Sequence, residues 1–168
     1  KSKIRQKLDH VPIKVIIFQD YDKGVLSADL IQYTIKEANK RGIVTVADPK
    51  RVNFLNYAGA TLFKPNLKEI NEGLDLQIHA TEPDWEQLAV ATKRLQEQLN
   101  CKYILVTLSA KGMFLRASTY HTHFPTKERQ VADVCGAGDT VISVVALGLA
   151  ANFSVEECAT IANLAGGQ

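Results

Sequence analysis

No stretch of about 18 consecutive apolar residues occurs in this 168-residue sequence. The longest uncharged run near its end, Thr140 to Ser154, is interrupted by Ser143, Gly148 and Asn152, so no segment reads as a bilayer-spanning helix. Cysteine is sparse. Cys101, Cys135 and Cys158 are odd in number, far apart and form no CxxC, which argues against a disulfide scaffold or a zinc site and sets the expectation of a reducing cytoplasm. An excess of one charge is also lacking. Lys and Arg number 20 against 18 Asp and Glu, and the net +2 is too small to mark a nucleic-acid or membrane surface, leaving a small molecule as the default partner. With 46% hydrophobic and 23% charged residues, disorder, collagen and low complexity are excluded.

At roughly 150 residues per domain the length suggests one domain. The chain opens on Lys1 rather than Met, carries no signal peptide, and stops at Gly166-Gly167-Gln168 directly after an apolar helical pattern. The expectation is a segment cut at both ends.

Along the chain, Val11 to Phe18 is an apolar, β-branched run ending in the polar stretch Asp20 to Gly24, which predicts a buried strand that delivers a loop. Ser27 is placed to cap a helix over Ala28 to Arg41, with Leu30, Ile31, Ile35 and Ala38 at helical spacing and Gly42 as its stop. Ile43 to Ala47 and Ala60 to Phe63 read as further strands. The first ends in Asp48-Pro49-Lys50 and the second leads through Lys64-Pro65 to Asn66, a helix cap with Glu69 in the first turn. Trp85 to Leu99 is amphipathic through Leu88, Ala91, Leu95 and Leu99, and leads to a strand at Tyr103 to Leu108. Met113 to Arg116 and Tyr120 to Phe124 predict an antiparallel edge. Helices over Ala137 to Ala150 and after the Ser154-x-x-Glu157 capping box close the chain. Strand, loop and helix recurring in this order predict parallel βαβ units, with function at the C-terminal ends of the strands.

The strongest chemical signal is Asp133-Val134-Cys135-Gly136-Ala137-Gly138-Asp139-Thr140, followed at once by an apolar helix. Small residues allow close backbone approach, and the free N–H groups of a helix start favour an anion, phosphate above all. An Asp in that first turn is stabilised as a carboxylate and can take a proton from a hydroxyl beside the phosphate; it can equally be a simple first-turn acid. Other phosphate motifs fail. There is no G-x-x-x-x-G-K-[ST], the Gly136-x-Gly138 pair has no third Gly at position 141, and the protein-kinase set is missing.

The Gly136 to Asp139 turn resembles the second signature of the ribokinase-like (PfkB) carbohydrate kinases. The resemblance implies that Asp139 is the catalytic base and that the amides of Gly136, Ala137 and Gly138 form the anion hole. Other loops agree in order: a D-P-K loop at Asp48-Pro49-Lys50, an N-x-x-E element at Asn66-Leu67-Lys68-Glu69, a T-x-G-x-x-G nucleotide turn at Thr107 to Gly112, and an Asn in the last helix at Asn163. Within the family, Asp20 to Ser27, Ala47 to Arg51, Gly59 to Glu69 and Val131 to Val144 look like the branch that phosphorylates D-glycero-β-D-manno-heptose 7-phosphate in ADP-heptose synthesis. Two positions depart from the family pattern. Cys135 stands where Thr is usual, which removes a hydroxyl, and Ser109 stands where Gly is common, which costs little in a turn that avoids positive φ.

The resemblance implies an α/β, ribokinase-like fold: a mainly parallel central sheet with helices on both faces and an antiparallel edge. Residues 1–168 would form the later part of a single kinase domain. The cofactors implied are ATP and Mg²⁺, with Asn66, Leu67, Lys68, Glu69, Thr107, Ser109, Gly112 and Asn163 on the nucleotide side. Asn66 and Glu69 lie three apart on one helix face and either order Mg²⁺ waters or serve only as cap and first-turn acid. Asp20, Lys23 and Lys50 sit at strand ends and either meet substrate or line solvated loops. The partners expected are a sugar phosphate and ATP, with neither nucleic acid nor membrane, a homo-oligomer for the intact parent and a possible fused nucleotidyltransferase domain. The alternatives are a sugar kinase for ribose, fructose or a hexose phosphate, and a nucleotide-binding module without turnover. His121 and His123 alternate on one strand face without a third metal ligand nearby in sequence.

Overall fold

The computed structural model describes residues 1–79, 82–126 and 136–166. In chain order these form α1 (Ser2–His10), β1 (Val15–Gln19), α2 (Ala28–Lys40), β2 (Val44–Asp48), β3 (Leu62–Phe63), α3 (Leu67–Leu74), α4 (Trp85–Leu99), β4 (Tyr103–Thr107), β5 (Met113–Arg116), β6 (His121–Phe124), α5 (Ala137–Ala150) and α6 (Val155–Gly166). The six strands make one sheet in sequence order, β1 to β4 parallel and β4, β5 and β6 antiparallel. The parallel units and the antiparallel edge are as the sequence predicts.

The sheet is apolar on both faces, which is why its strands read as continuous apolar runs. Alternation along each strand sends Ile104 and Val106 into one core with Phe63, Ile31, Ile35, Leu88 and Leu95, while Leu105 enters the other with Leu62, Val145, Cys158 and Ala162. Helices α2, α3 and α4 therefore cover one face, and α5 and α6 cover the other.

Two strand starts move and one helix is added, for identifiable reasons. β1 begins at Val15 rather than Val11, because Pro12 has no N–H for a ladder and Ile13 N bonds back to Val11 O at 2.8 Å. β3 keeps only Leu62 and Phe63, since just before it Thr45 and Thr61 exchange bonds, each hydroxyl oxygen accepting from the other's backbone N–H at 3.0 and 3.1 Å. Helix α1 has no counterpart in the sequence reading. Its polar sequence buries only Leu8, and no side chain caps its start; it is held by Leu8 against Ala38 and Ile43 and by Asp9 on the Arg41 guanidinium. By contrast α2, α3 and α6 start where their caps predict, on Ser27, Asn66 and Ser154, and α4 starts on a cap that the sequence reading did not name, Asp84.

The pair α5 and α6 sets one wall of the candidate site, and the two helices pack tightly at Gly148. A Cβ on Gly148 would lie 2.5 Å from Cys158 Sγ. Gly148→Ala is expected to destabilise the protein by about 1–3 kcal/mol through overpacking, and adding Cys158→Ala should recover most of that loss. Chemical denaturation of the two variants measures both effects; a single variant as stable as the parent would show that the helices do not meet there.

Candidate active site

Strand order gathers the loops after β1, β2, β3 and β4 at one end of the sheet, and the start of α5 lies over them. Gly136, at φ 86°, is the N-cap of α5, and among the described residues no side chain caps its first turn. The first helical bond is Thr140 N to Gly136 O, so the amides of Ala137, Gly138 and Asp139 precede the ladder and carry the positive end of the helix dipole. Asp133, Val134 and Cys135, which open the motif in the sequence, lie outside the described residues.

Asp139 is exposed and in that first turn. Its Oδ1 accepts a hydrogen bond from Gln19 Nε2 at 3.0 Å, and its Oδ2 accepts one from the Tyr21 hydroxyl at 3.2 Å. The phenol of Tyr21 is pushed up from its ordinary pKa by desolvation and by the Asp139 carboxylate, which keeps it a donor. The same Gln19 Nε2 donates to Asp48 Oδ2 at 3.1 Å, because parallel register sets Gln19 and Asp48 side by side at the ends of β1 and β2. Asp48 in turn pairs with Lys64 Nζ at 3.2 Å, both side chains buried. That ammonium lies under the start of α5, 3.6 Å from where a Cβ on Gly138 would stand.

Lys50 pairs with Glu69. Burial works against the Lys50 charge, yet the hydrogen bond and charge of Glu69, with Asp48 and Asp139 beyond, raise its pKa. Glu69 also completes a capping box: its Oε2 accepts from Asn66 N at 2.9 Å, while Asn66 Oδ1 accepts from Glu69 N at 2.8 Å. Of the two sequence readings of this pair, the cap is the one that forms, and the Glu69 carboxylate faces Lys50. For a magnesium ion arriving on a triphosphate, an oxygen-only set of one carboxylate and one amide is suitable chemistry for holding coordinated water.

On the other side of the α5 start is a cleft of about 500 Å³. Asn66, Leu67, Lys68, Thr107, Ser109, Gly112 and Asn163 line it together with Ala137 and Gly138, while Leu108, Met113, Val141 and Ala162 give it apolar walls. Its volume and mixture of apolar walls with a few polar groups suit a nucleotide. The isolated bridge between Asn66 and Thr107 continues the β3–β4 pairing past Pro65 and sets those two residues at its mouth. Gly112 has φ 84° and could not be replaced, since a Cβ would come within 1.9 Å of Phe124 O. Asn163 Nδ2 donates to Pro125 O at 3.0 Å, which ties α6 to the end of β6.

Not every predicted residue joins this arrangement. Glu69 lies behind the cleft on Lys50. Asp20 is buried, with Oδ2 accepting from Tyr57 at 2.8 Å and Asn53 at 3.0 Å and Oδ1 accepting from Asp22 N at 2.9 Å, so its lone pairs hold the loop after β1. Lys23 is exposed on that loop. His121 and His123 pack on Phe114 and Trp85, and among the described residues no three His, Cys, Asp or Glu gather as a metal site. Gln19, Tyr21 and Lys64 are the residues the sequence reading missed; a strand-final Gln in an apolar run and a Lys before Pro at a strand end were the available signals. One expectation is corrected. Ser109 has φ 51°, so the turn does not avoid the left-handed region, and Ser there is strained by about 1 kcal/mol.

The sequence profile of pfkB family carbohydrate kinases matches residues 3–168. Over 155 residues the chain is 41% identical to the bifunctional protein HldE of Syntrophotalea carbinolica, covering 91% of this chain and 31% of that protein. To the bifunctional protein HldE of Aliivibrio salmonicida it is 38% identical over 156 residues, covering 92% of this chain and 31% of that protein. Among solved structures, phosphofructokinase-2 from Escherichia coli superposes with a TM-score of 0.84 at 19% identity, over 99% of this chain and 56% of that one. Ribokinase of Arabidopsis thaliana complexed with ribose and ATP gives 0.77 at 20% identity, over 99% of this chain and 52% of that one. Both show the fold.

Ser109→Gly is expected to stabilise the protein by roughly 0.5–1 kcal/mol, since Gly adopts positive φ without the Cβ penalty but loses more freedom on folding. Equilibrium unfolding measures it; a destabilised variant would show that the turn is not strained by Ser109.

Proposed function

The chain belongs to the pfkB family of carbohydrate kinases, and from that premise we propose that it transfers the γ-phosphoryl group of ATP to a sugar hydroxyl. The acceptor we propose is O1 of D-glycero-β-D-manno-heptose 7-phosphate. The observation that carries the reading is the position of Asp139 and the uncapped start of α5 between two unlike surroundings: the apolar-walled cleft on one side and the charged Asp48, Lys64, Lys50 and Glu69 cluster on the other. The likeness of Asp20 to Ser27, Ala47 to Arg51 and Gly59 to Glu69 to the heptose 7-phosphate branch supports the choice of sugar. Because the chain spans 31% of the HldE proteins it matches, we propose that it supplies the nucleotide-facing part of one kinase domain, and that a nucleotidyltransferase domain accompanies it in the whole protein.

In this reading the nucleotide lies in the cleft, its base between Leu108, Met113, Val141 and Ala162 and its phosphates toward Asn66 and the α5 start. Asp139 takes the acceptor's proton. The amides of Ala137 and Gly138, with Lys64 beneath them, face the charge that grows on the transferred group, a preorganised positive field worth more here than in water. Lys50 stands between Glu69 and the acidic end of the site and pairs with that carboxylate. Bound magnesium would supply charge neutralisation across the phosphates, and Glu69 with Asn66 would hold its water.

Asp139→Asn in the full-length protein should lower kcat by about 10²-fold or more and leave ATP affinity within a few-fold. The assay is phosphoryl transfer to a panel of heptose 7-phosphate, ribose, fructose 6-phosphate and other hexose phosphates. Preference for another sugar overturns the acceptor, near-normal turnover by Asp139→Asn overturns the base, and ATP binding without turnover of any sugar favours a binding module. Separately, Glu69→Gln should raise the Mg²⁺ concentration for half-maximal rate, read from a magnesium titration of the same assay. An unchanged requirement leaves Glu69 as a helix-start acid.

A further inference from the structure

Gln19 belongs to no motif above, yet its amide nitrogen is within hydrogen-bond distance of two carboxylates, Asp139 Oδ1 at 3.0 Å and Asp48 Oδ2 at 3.1 Å. Only the NH₂ end of an amide can face two carboxylates, so chemistry fixes its orientation, with one hydrogen for each. It is the last residue of β1, in register with Asp48, so its backbone is held by the sheet. Asp139, by contrast, is on an exposed helix turn.

We propose that Gln19 is a positioning residue that anchors Oδ1 of Asp139 to the sheet and leaves Oδ2 as the oxygen that accepts the proton. The proposal rests on the reading of Asp139 as base. The Tyr21 hydroxyl, 3.2 Å from Oδ2 and half exposed, stands where the acceptor's O–H would donate, and gives way to it. As the bond from the acceptor oxygen to the γ-phosphorus forms and the bond from that phosphorus to the bridging oxygen breaks, the acceptor's proton passes to Oδ2 and the electron pair leaves with ADP.

A neutral amide suits this task. It orients the carboxylate without the full depression of basicity that a cation in contact would cause. Among the described residues, the charged and titratable groups facing Asp139 are Asp48 from β2, Lys64 from the end of β3, Lys50 from the loop after β2, and Tyr21 from the loop after β1. Removing the Gln19 donor leaves all four in place and withdraws one hydrogen bond from the carboxylate form of the base. The base acts deprotonated, and the acid limb of the rate profile therefore moves to higher pH.

The test is the pH dependence of kcat and kcat/KM in the full-length protein, with ATP, Mg²⁺ and heptose 7-phosphate as the probe. Gln19→Leu should lower kcat by about tenfold, keep KM for ATP within about twofold, and move the acid limb up by about 0.5 pH unit or more. Gln19→Glu keeps the length but replaces donor with acceptor beside two carboxylates, and should move the limb further. The limb does not depend on how much enzyme is folded, so a fall in rate at all pH values with the limb unmoved would make Gln19 merely structural and overturn the proposal. A Gln19→Leu enzyme with normal kcat and limb, beside an inactive Asp139→Asn, overturns this proposal and leaves the base intact. An active Asp139→Asn overturns both.

Discussion

The buried pair of Asp48 and Lys64 is the constraint on which the rest of this site depends. The two side chains end adjacent parallel strands beneath an apolar sheet, and neither charge is tolerable there without the other: removing one partner of such a pair typically costs about 3–5 kcal/mol. Lys64 N also donates to Ala47 O at 2.8 Å, so backbone and side chain fix the β2 and β3 ends together. Everything near the start of α5 is referred to that pair. Gln19 reaches Asp139 while bonded to Asp48, and Gly138 at the start of α5 lies over the Lys64 ammonium.

The charge arrangement is graded outward from this point. Asp48 is spent on Lys64, and Glu69 on Lys50 and the Asn66 cap, whereas Asp139 is held by a neutral amide and a phenol. The cations thus neutralise the supporting carboxylates, and the exposed one keeps the hydrogen bonds of weaker donors. Under the proposed function, such a distribution suits Asp139 as the proton acceptor and leaves the helix dipole and Lys64 to face the phosphate.

Where local rules agree with tertiary packing, the sequence was readable in detail. Trp85–Leu99 is the helix expected from its apolar periodicity and Ala137–Ala150 the one expected from the apolar run after the Gly-rich turn, and the capping boxes at Asn66 and Ser154 form as their spacing requires. Helix α1 was invisible because its stability comes from Ala38 and Ile43 rather than from a cap or a broad apolar stripe. The cleft was legible through its motifs, since each loop carries its own signature. Gln19, Tyr21 and Lys64 were not, because what unites them is strand register and the descent of α5 onto the sheet, and neither leaves a mark in local sequence.

Ser109 shows how the two kinds of information differ. At φ 51° it occupies backbone that Gly adopts freely, and it does so three residues before Gly112, which has φ 84° and where Phe124 O leaves no room for a Cβ. The pair closes the loop between β4 and β5 through Leu108 N to Gly112 O at 2.8 Å and Gly112 N to Ser109 O at 3.0 Å. Relaxing Ser109 alone would break the latter bond and shift a wall of the cleft, so the loop keeps its shape and the strain is offset by the sheet on both sides. The left-handed turn is therefore imposed by the hairpin edge of the sheet, and the residue at position 109 conforms to it.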